Sequence, residues 1–303
     1  MNIPKHILLS LLGSLFLAAA MWNSAAGQQS GNNYKRGLFA KDNLVAWCII
    51  PYDAEERGPE ERAQMLNELG IKRMAWDWRQ EHLKQLPREI ETLRRHNIEL
   101  SAAWLWIDKS ANDGFTDTHN YIFDTLDEYD VSTTIWMGFN KNFFEGLTEE
   151  QKIEKGAAFV KKVYERAKAI NCDVAFYNHG NWIGDPENQV RIIREIDVKD
   201  IGIVYNFHHA HHQIERFPEL LETMMPYLKT VNLNGMDSDG PKILPIGEGT
   251  KEAQMLRTLM ESDFSGTIGI LDHDHEVDSK ERLKKNMEGL QQILDQIRKE
   301  KNK

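Results

Sequence analysis

The chain of 303 residues has little cysteine, no excess of positive charge and few long apolar runs. Its two cysteines, Cys48 and Cys172, both fall inside short apolar runs, which favours buried free thiols over a disulfide. The formal net charge of −10 and the lack of a basic stripe argue against a nucleic-acid partner. These shortages exclude a disulfide-rich scaffold and disfavour a DNA- or RNA-binding protein.

The longest apolar run lies near the amino terminus. Lys5 precedes apolar residues 7–21, and small residues at 24–27 precede the polar Gln28. This order is typical of a secretory signal peptide, and a run of about 15 residues is shorter than the roughly 20 that span a bilayer. We therefore predict a signal peptide over 1–27, a flexible lead-in over 28–41, and a periplasmic or secreted protein without a stable membrane anchor after cleavage. An uncleaved anchor is the alternative.

From Leu44 onward, short apolar runs alternate with longer amphipathic segments. The predicted strands are 44–50, 73–77, 100–106, 133–137, 173–178, 201–206, 230–234 and 267–271. The predicted helices are 60–69, 83–96, 118–128, 149–169, 187–196, 215–224, 251–261 and 280–299. Eight βα units without a linker predict a single (β/α)8 TIM-barrel domain over 42–303. An open doubly wound sheet is the alternative, but no glycine-rich dinucleotide fingerprint follows the first strand.

Histidines are concentrated after the predicted strands five, six and eight. Of the 11 in the chain, seven lie there: His179, His208, His209, His211, His212, His273 and His275. The active site of a TIM barrel lies at the carboxyl ends of the strands, and imidazole serves both proton transfer and metal binding. The candidate catalytic residues are His179, His209 and His211. The candidate metal ligands are His179, His209, Asp272 and His273. By contrast, His82, His96 and His119 lie in or beside predicted helices and are expected at the surface.

Aromatic, amide and acidic side chains at the same strand ends are candidates for binding substrate. Indole faces pack against the C–H patches of sugars, and amides hydrogen-bond hydroxyl groups in two directions. The candidates are Trp47, Asp77, Trp104, Asn206, Asn232, Asn234 and Glu248. Core packing is the alternative role for the tryptophans, and loop capping is the alternative for the amides and Glu248. This composition predicts a small-molecule carbohydrate substrate.

At these strand ends the sequence resembles the sugar phosphate isomerase/epimerase group of the xylose isomerase-like TIM barrel superfamily. Residues 174–180, Val-Ala-Phe-Tyr-Asn-His-Gly, are similar to the Glu-Asn-His-Gly segment on strand five of that family. Residues 202–211 are similar to its Asp-x-x-His-Ala-His segment on strand six, and residues 245–249 to a turn after strand seven. The resemblance spans roughly 44–294. It implies abstraction of a proton next to a carbonyl, which gives an enediolate.

The resemblance also implies a divalent metal held by two Glu, one Asp and one His. The matching positions here carry Tyr177, Asn206, Asn232 and, on strand eight, Leu271 or Asp272. Such a set would be a poor cage for a hard cation. One alternative is a shifted site of three imidazoles with Asp272, holding a divalent ion such as Zn, Co, Ni, Fe or Mn. The other is a site in which histidines act directly as acids and bases.

Together these patterns predict an exported, metal-assisted isomerase or epimerase, or a related lyase or hydratase, that acts on a neutral sugar or keto-sugar. A non-catalytic sugar-binding barrel and a metal-dependent phosphoester hydrolase are the rival interpretations. If a histidine is the base, activity should rise through a pKa near the ordinary value of about 6.5.

Overall fold

The computed structural model describes residues 37–111, 114–198 and 200–301. Its strands form a closed parallel barrel in chain order, in which the first strand pairs with the eighth. The strands are β1 (Leu44–Trp47), β2 (Arg73–Trp76), β3 (Glu99–Ile107), β4 (Thr134–Phe139), β5 (Asp173–Tyr177), β6 (Gly202–Asn206), β7 (Leu228–Leu233) and β8 (Thr267–Leu271). The helices are α1 (Pro59–Leu69), α2 (Leu86–Arg95), α3 (Asp117–Glu128), α4 (Glu149–Ala169), α5 (Pro186–Ile196), α6 (Phe217–Met224), α7 (Glu252–Glu261) and α8 (Ser279–Lys301).

The predicted (β/α)8 barrel is confirmed, and the differences lie at the ends of elements. The first strand stops at Trp47 instead of residue 50, because Cys48 has a φ of +59° that breaks the extended conformation. The predicted helix 83–96 is divided into a short 3-10 turn and α2, which has Pro87 in its first turn. Helix α4 begins where predicted, since Thr148 caps it by accepting a hydrogen bond from the backbone N–H of Gln151.

The barrel interior is filled by side chains that alternate with those facing the helices. Trp47, Trp104, Trp136 and Tyr177 lie in this inner cluster beside small residues. A Cβ at Gly138 would lie 2.1 Å from Trp104, so only glycine leaves room for that indole. Bulky aromatic groups on some strands therefore require small residues on their neighbours.

The segment before β1 closes the amino end of the barrel. Leu38 is buried, and the Asn43 side chain donates hydrogen bonds to the carbonyl groups of Leu38 and Gly266. The end of the lead-in that was predicted to be flexible is thus packed from Leu38 onward. The predicted signal peptide, and the lead-in through residue 36, lie outside the described residues.

Two further features bear on the class of protein. Cys48 and Cys172 are both buried and free, so no disulfide joins them, as expected from the sequence. Within the ranges described above, no helix is long and apolar enough to cross a membrane.

Candidate active site

A cavity of about 350 Å³ opens at the carboxyl ends of the strands. Its floor is aromatic and includes Trp47, Trp104 and Tyr177. Its walls carry Asp77 from the end of β2, His179 and His209 from the segments after β5 and β6, and His273 after β8. In a closed barrel of eight strands β2 and β6 lie opposite each other, so Asp77 faces imidazoles across the cavity.

Asp77 is the buried acid of this cavity. Its side chain is 2% exposed, and its Oδ1 atom has no hydrogen-bond partner among the described residues. Burial raises the pKa of Asp77 to about 7, while the positive charges of Arg79 and Arg62 oppose that shift. The carboxyl group can therefore exchange a proton near neutral pH, which suits a general base or acid.

The histidines form a continuous group of rings. The ring centroids of His179 and His209 lie 4.6 Å apart, those of His209 and His208 lie 4.7 Å apart, and those of His208 and His273 lie 4.4 Å apart. The Nδ1 atoms of His179, His208 and His273 are buried without a partner among the described residues. Unsatisfied ring nitrogens beside a cavity indicate a place where a polar ligand would make hydrogen bonds.

Burial makes these imidazoles neutral. It lowers the pKa of His273 to about 4 and that of His208 to about 3, and it holds the pKa of His209 well below the ordinary value. The pKa of His179 is also lowered, again mainly by burial. The expectation of a histidine base with an ordinary pKa near 6.5 is therefore wrong for this cluster, because desolvation penalises the charged ring. Neutral rings can still donate one N–H each.

Six of the predicted site residues lie outside the cavity lining, and two of them are Asp272 and Glu248. Asp272 is fully buried, with Oδ1 accepting from the backbone N–H groups of His273 and Asp274 and Oδ2 accepting from the hydroxyl of Ser279. Its carboxylate orders the segment after β8 and is not free to bind a metal. Glu248 is exposed and forms an ion pair with Lys285 on α8, so the predicted role in substrate binding is not supported.

His211 and the amides have structural partners instead. The two ring nitrogens of His211 face the carbonyl oxygens of Asp237 and Lys242 at 2.9 and 3.1 Å, which fixes the loop after β7. The Asn234 side chain donates to the carbonyls of Gly235 and Lys242 and orders the same loop. These two side chains therefore support the mouth of the barrel without lining the cavity. Asn206 and Asn232 are buried beside Tyr177 and are not part of the cavity lining.

The side chains at the predicted metal site are not arranged as ligands for a metal ion. Across the described parts of the chain, no group of three or more His, Cys, Asp or Glu side chains is placed to hold a metal ion. The Asp272 carboxylate accepts hydrogen bonds within the segment that follows β8. The inward-facing position on β8 is Leu271, which lies in the inner cluster with Trp47 and Tyr177. Alternation along the strand thus settles that the position matching the last family ligand is Leu271.

Sequence reasoning missed several residues of this cavity. Tyr52 stacks on His273 with ring centroids 4.0 Å apart, and its hydroxyl accepts a hydrogen bond of 2.6 Å from Arg79. Cys48 also lines the cavity, next to the Asp77 carboxyl. Tyr52 lies in the loop beyond β1, where sequence gives no periodic signal. The left-handed conformation of Cys48, which turns the chain at the end of that strand, is likewise invisible in the sequence.

The expected surface position of His119 is also wrong. The residue is 2% exposed, and its Nε2 atom lies 2.7 Å from the carbonyl oxygen of Trp106. Its Nδ1 atom accepts from the backbone N–H of Thr116 at the start of α3. The ring therefore ties the end of β3 to the next helix, and this contact holds Trp106 at the cavity wall.

Comparison with known proteins agrees with this architecture. The family model described as xylose isomerase-like TIM barrel matches residues 122–293. No curated protein sequence matches the chain significantly.

Three solved structures illustrate the likeness in fold. The probable 3-DHS dehydratase AsbF of Bacillus anthracis has a TM-score of 0.61 and 15% identity, covering 82% of this chain and 98% of the other. The 3-keto-D-glucoside 4-epimerase YcjR of E. coli has a TM-score of 0.61 and 13% identity, covering 84% and 99%. An IolI protein with a bound zinc atom has a TM-score of 0.61 and 11% identity, covering 83% and 98%. At these identities the likeness concerns the fold.

Proposed function

The chain belongs to the xylose isomerase-like TIM barrel family, and from that premise we propose that it is a sugar isomerase or epimerase acting on a neutral sugar or keto-sugar. The observation that carries this proposal is the Asp77 carboxyl group, which faces neutral imidazoles across one aromatic cavity. An epimerase and a dehydratase among the similar structures agree with chemistry next to a carbonyl group.

The proposed reaction begins at Asp77. Its carboxylate removes a proton from the carbon next to the carbonyl, the electron pair of the C–H bond moves toward oxygen, and an enediolate forms. Neutral imidazole N–H groups of His179 and His209 on the opposite wall donate hydrogen bonds to the developing charge. Epimerisation then requires a proton delivered to the other face of the same carbon from the opposite wall, while Asp77 releases its proton to solvent. Isomerisation instead requires return of the Asp77 proton to the neighbouring carbon, together with transfer of the hydroxyl proton to the former carbonyl oxygen.

The cavity also supports the substrate class. Its volume of about 350 Å³ suits a small molecule, and its lining includes Trp47, Trp78, Trp104 and Trp106. Indole faces and unsatisfied polar atoms together suit a sugar, which carries apolar C–H faces and hydroxyl groups on one ring. No step of the proposed reaction is assigned to a divalent metal, since the donor set does not fit one.

The test is exchange of a substrate proton with solvent. The purified protein would be incubated in D2O with a panel of 3-keto-sugars and ketoses, and deuterium at the carbon next to the carbonyl would be followed by NMR. We expect exchange with the wild type and loss of exchange with Asp77→Asn. Asp108→Asn is the matched control, because Asp108 follows β3 but accepts its hydrogen bonds from Ser110 outside the cavity lining. Saturable sugar binding without any exchange would favour the rival interpretation of a binding-only barrel.

We further propose that the protein is exported to the periplasm or beyond the cell, with cleavage after Ala26 or Gly27. The order of Lys5, an apolar run and small residues supports this proposal. Cell fractionation followed by mass measurement of the mature amino terminus tests it. An intact Met1 on protein recovered from the cytoplasm would refute it.

A further inference from the structure

Tyr177 lies at the centre of the cavity floor, and its position is tightly restrained. Its side chain is 2% exposed, and its ring lies among three indoles, with centroid separations of 4.9 Å to Trp104, 5.8 Å to Trp47 and 5.9 Å to Trp136. The ring cannot change rotamer without displacing these groups, because barrel interiors are close-packed. The hydroxyl group is therefore held in one place on a residue that lines the cavity.

The hydrogen bonds to the Tyr177 oxygen leave its proton free to donate. The oxygen accepts from Nε1 of Trp47 at 2.9 Å and from the Nδ2 group of Asn206. The amide of Asn206 is oriented, since its Oδ1 atom accepts from the backbone N–H of His208. A phenol oxygen has two acceptor sites and one hydrogen. With both acceptor sites filled, the O–H group is left to serve as a donor.

Asn232 is the remaining polar neighbour of the Tyr177 hydroxyl. Its nearby amide acts against the larger effect of burial on the pKa of Tyr177, and both of its amide atoms are buried without a partner among the described residues. The amide lies over Gly269, where any side chain would overlap it. Burial nevertheless raises the pKa of Tyr177 well above its ordinary value, so the phenol keeps its proton at neutral pH.

Trp47, Tyr177, Asn206 and Asn232 form what we call the Tyr177 cluster. Three of its members occupy positions that match metal ligands in the resemblance, and the fourth matching position carries the inward-facing Leu271. The cluster supplies a phenol, an indole and two amides, and no anionic group that would neutralise a divalent cation. A neutral hydrogen-bond donor thus stands where the metal of the family would be expected.

We propose that the Tyr177 O–H group replaces a divalent metal as the group that holds the substrate oxygen while negative charge develops on it. This inference rests on the proposed function. The proton of the substrate passes to Asp77, the electron pair moves to the substrate oxygen, and the phenol donates a hydrogen bond to that oxygen without giving up its own proton. A fixed donor in a site from which water is excluded stabilises an oxyanion strongly.

The test compares Tyr177→Phe with a matched control in the deuterium-exchange assay. Tyr177→Phe removes only the hydroxyl group, and we expect kcat to fall by about 10² to 10³ while KM changes little. Tyr205→Phe is the control, because Tyr205 is also buried, on the adjacent strand β6, but its hydroxyl donates to Gln213 away from the cavity lining. The control should keep the wild-type rate, and both variants should show wild-type circular dichroism.

The dependence of activity on metal provides a second test of this inference, independent of the Tyr177→Phe variant. We expect wild-type exchange to be unchanged by EDTA and by added Zn²⁺ or Mn²⁺. Calorimetric titration with Mn²⁺ should show no binding by the wild type in the cavity and a gain of binding by Tyr177→Glu combined with Asn206→Asp. Loss of activity in EDTA with recovery on adding metal would overturn the inference, as would an unimpaired Tyr177→Phe enzyme. In either case the proposed function would stand. A wild type that exchanges no substrate proton would overturn both.

Discussion

The two ends of this barrel differ in whether their polar side chains have hydrogen-bond or ion-pair partners. At the amino end, Lys168 forms ion pairs with Asp173 at 2.5 Å and Asp200 at 2.8 Å, and the hydroxyl groups of Thr230 and Thr267 lie 2.7 Å apart. At the carboxyl end, buried atoms without partners among the described residues belong to Asp77, His179, His208, Asn232 and His273. Native proteins rarely leave buried polar atoms unpaired.

The difference shows which end is reserved for a ligand. Unpaired buried groups destabilise the free protein, and they are tolerated where a substrate supplies the missing hydrogen bonds. Paired groups at the amino end instead contribute to folding alone, which agrees with the general division between the two faces of TIM barrels. Variants at the mouth should therefore alter activity most. Variants at the amino end should leave activity nearly unchanged, and where the groups are partly exposed they should lower stability only slightly.

The largest expected effect is that of Asp77→Asn. We expect kcat to fall by about 10³ to 10⁴, since the base is removed. Because burial raises the pKa of Asp77 to about 7, the stability that its proton provides is complete below about pH 4 and is lost as pH rises through 7. At pH 8 the variant, which carries no charge, should thus be more stable than the wild type by on the order of 2 to 4 kcal/mol.

Urea unfolding at pH 5 and pH 8 measures the stability difference. The gain of the Asp77→Asn variant over the wild type should be larger at pH 8. A variant that is inactive and equally destabilised at both pH values would indicate a structural role for Asp77 instead of a catalytic one.

The next effect is that of His209→Ala, for which we expect kcat to fall by about 10² to 10³ with folding largely intact. His209 lies in the cavity wall, with its ring 4.6 Å from His179 and 5.7 Å from Tyr177. His212→Ala is the control, because His212 is exposed in the same loop. Near-native turnover by the His209 variant would refute its assigned role.

A smaller change is expected from pH alone. If the Asp77 carboxylate is the base, activity should rise through a pKa of about 7, by roughly a hundredfold between pH 5 and pH 8. The neutral histidines should not add a second rise in this range, since burial lowers their pKa values. Initial rates measured across this range in a constant-ionic-strength buffer give the profile. A flat profile would contradict the role of Asp77.

The smallest effect is expected at the amino end. Lys168→Met removes ion pairs whose lysine side chain is 33% exposed, so the free energy of unfolding should fall by no more than about 1 kcal/mol. Exchange activity should stay within about twofold of the wild type. A large loss of activity in this variant would show that the two ends are coupled and that the amino end also contributes to catalysis.

Much of this architecture could be predicted because strands and helices have different hydrophobic periods. The eight strands and the position of His179, His209 and His273 after strand ends follow from that pattern. The roles of Glu248 and Asp272 could not be predicted in the same way. One residue of shift along a strand reverses the direction of a side chain, and a loop residue has no period at all.

The sequence by itself determined the closed barrel, the end at which the histidines gather and the absence of acidic groups at three positions of the family's metal site. Only the tertiary structure decided that Leu271 and not Asp272 faces inward, and that Asp77 is buried beside the cavity. It also decided the ionisation of these groups. A pKa depends on desolvation and on charges brought together from distant parts of the chain, whereas periodicity is a local property that short segments already carry.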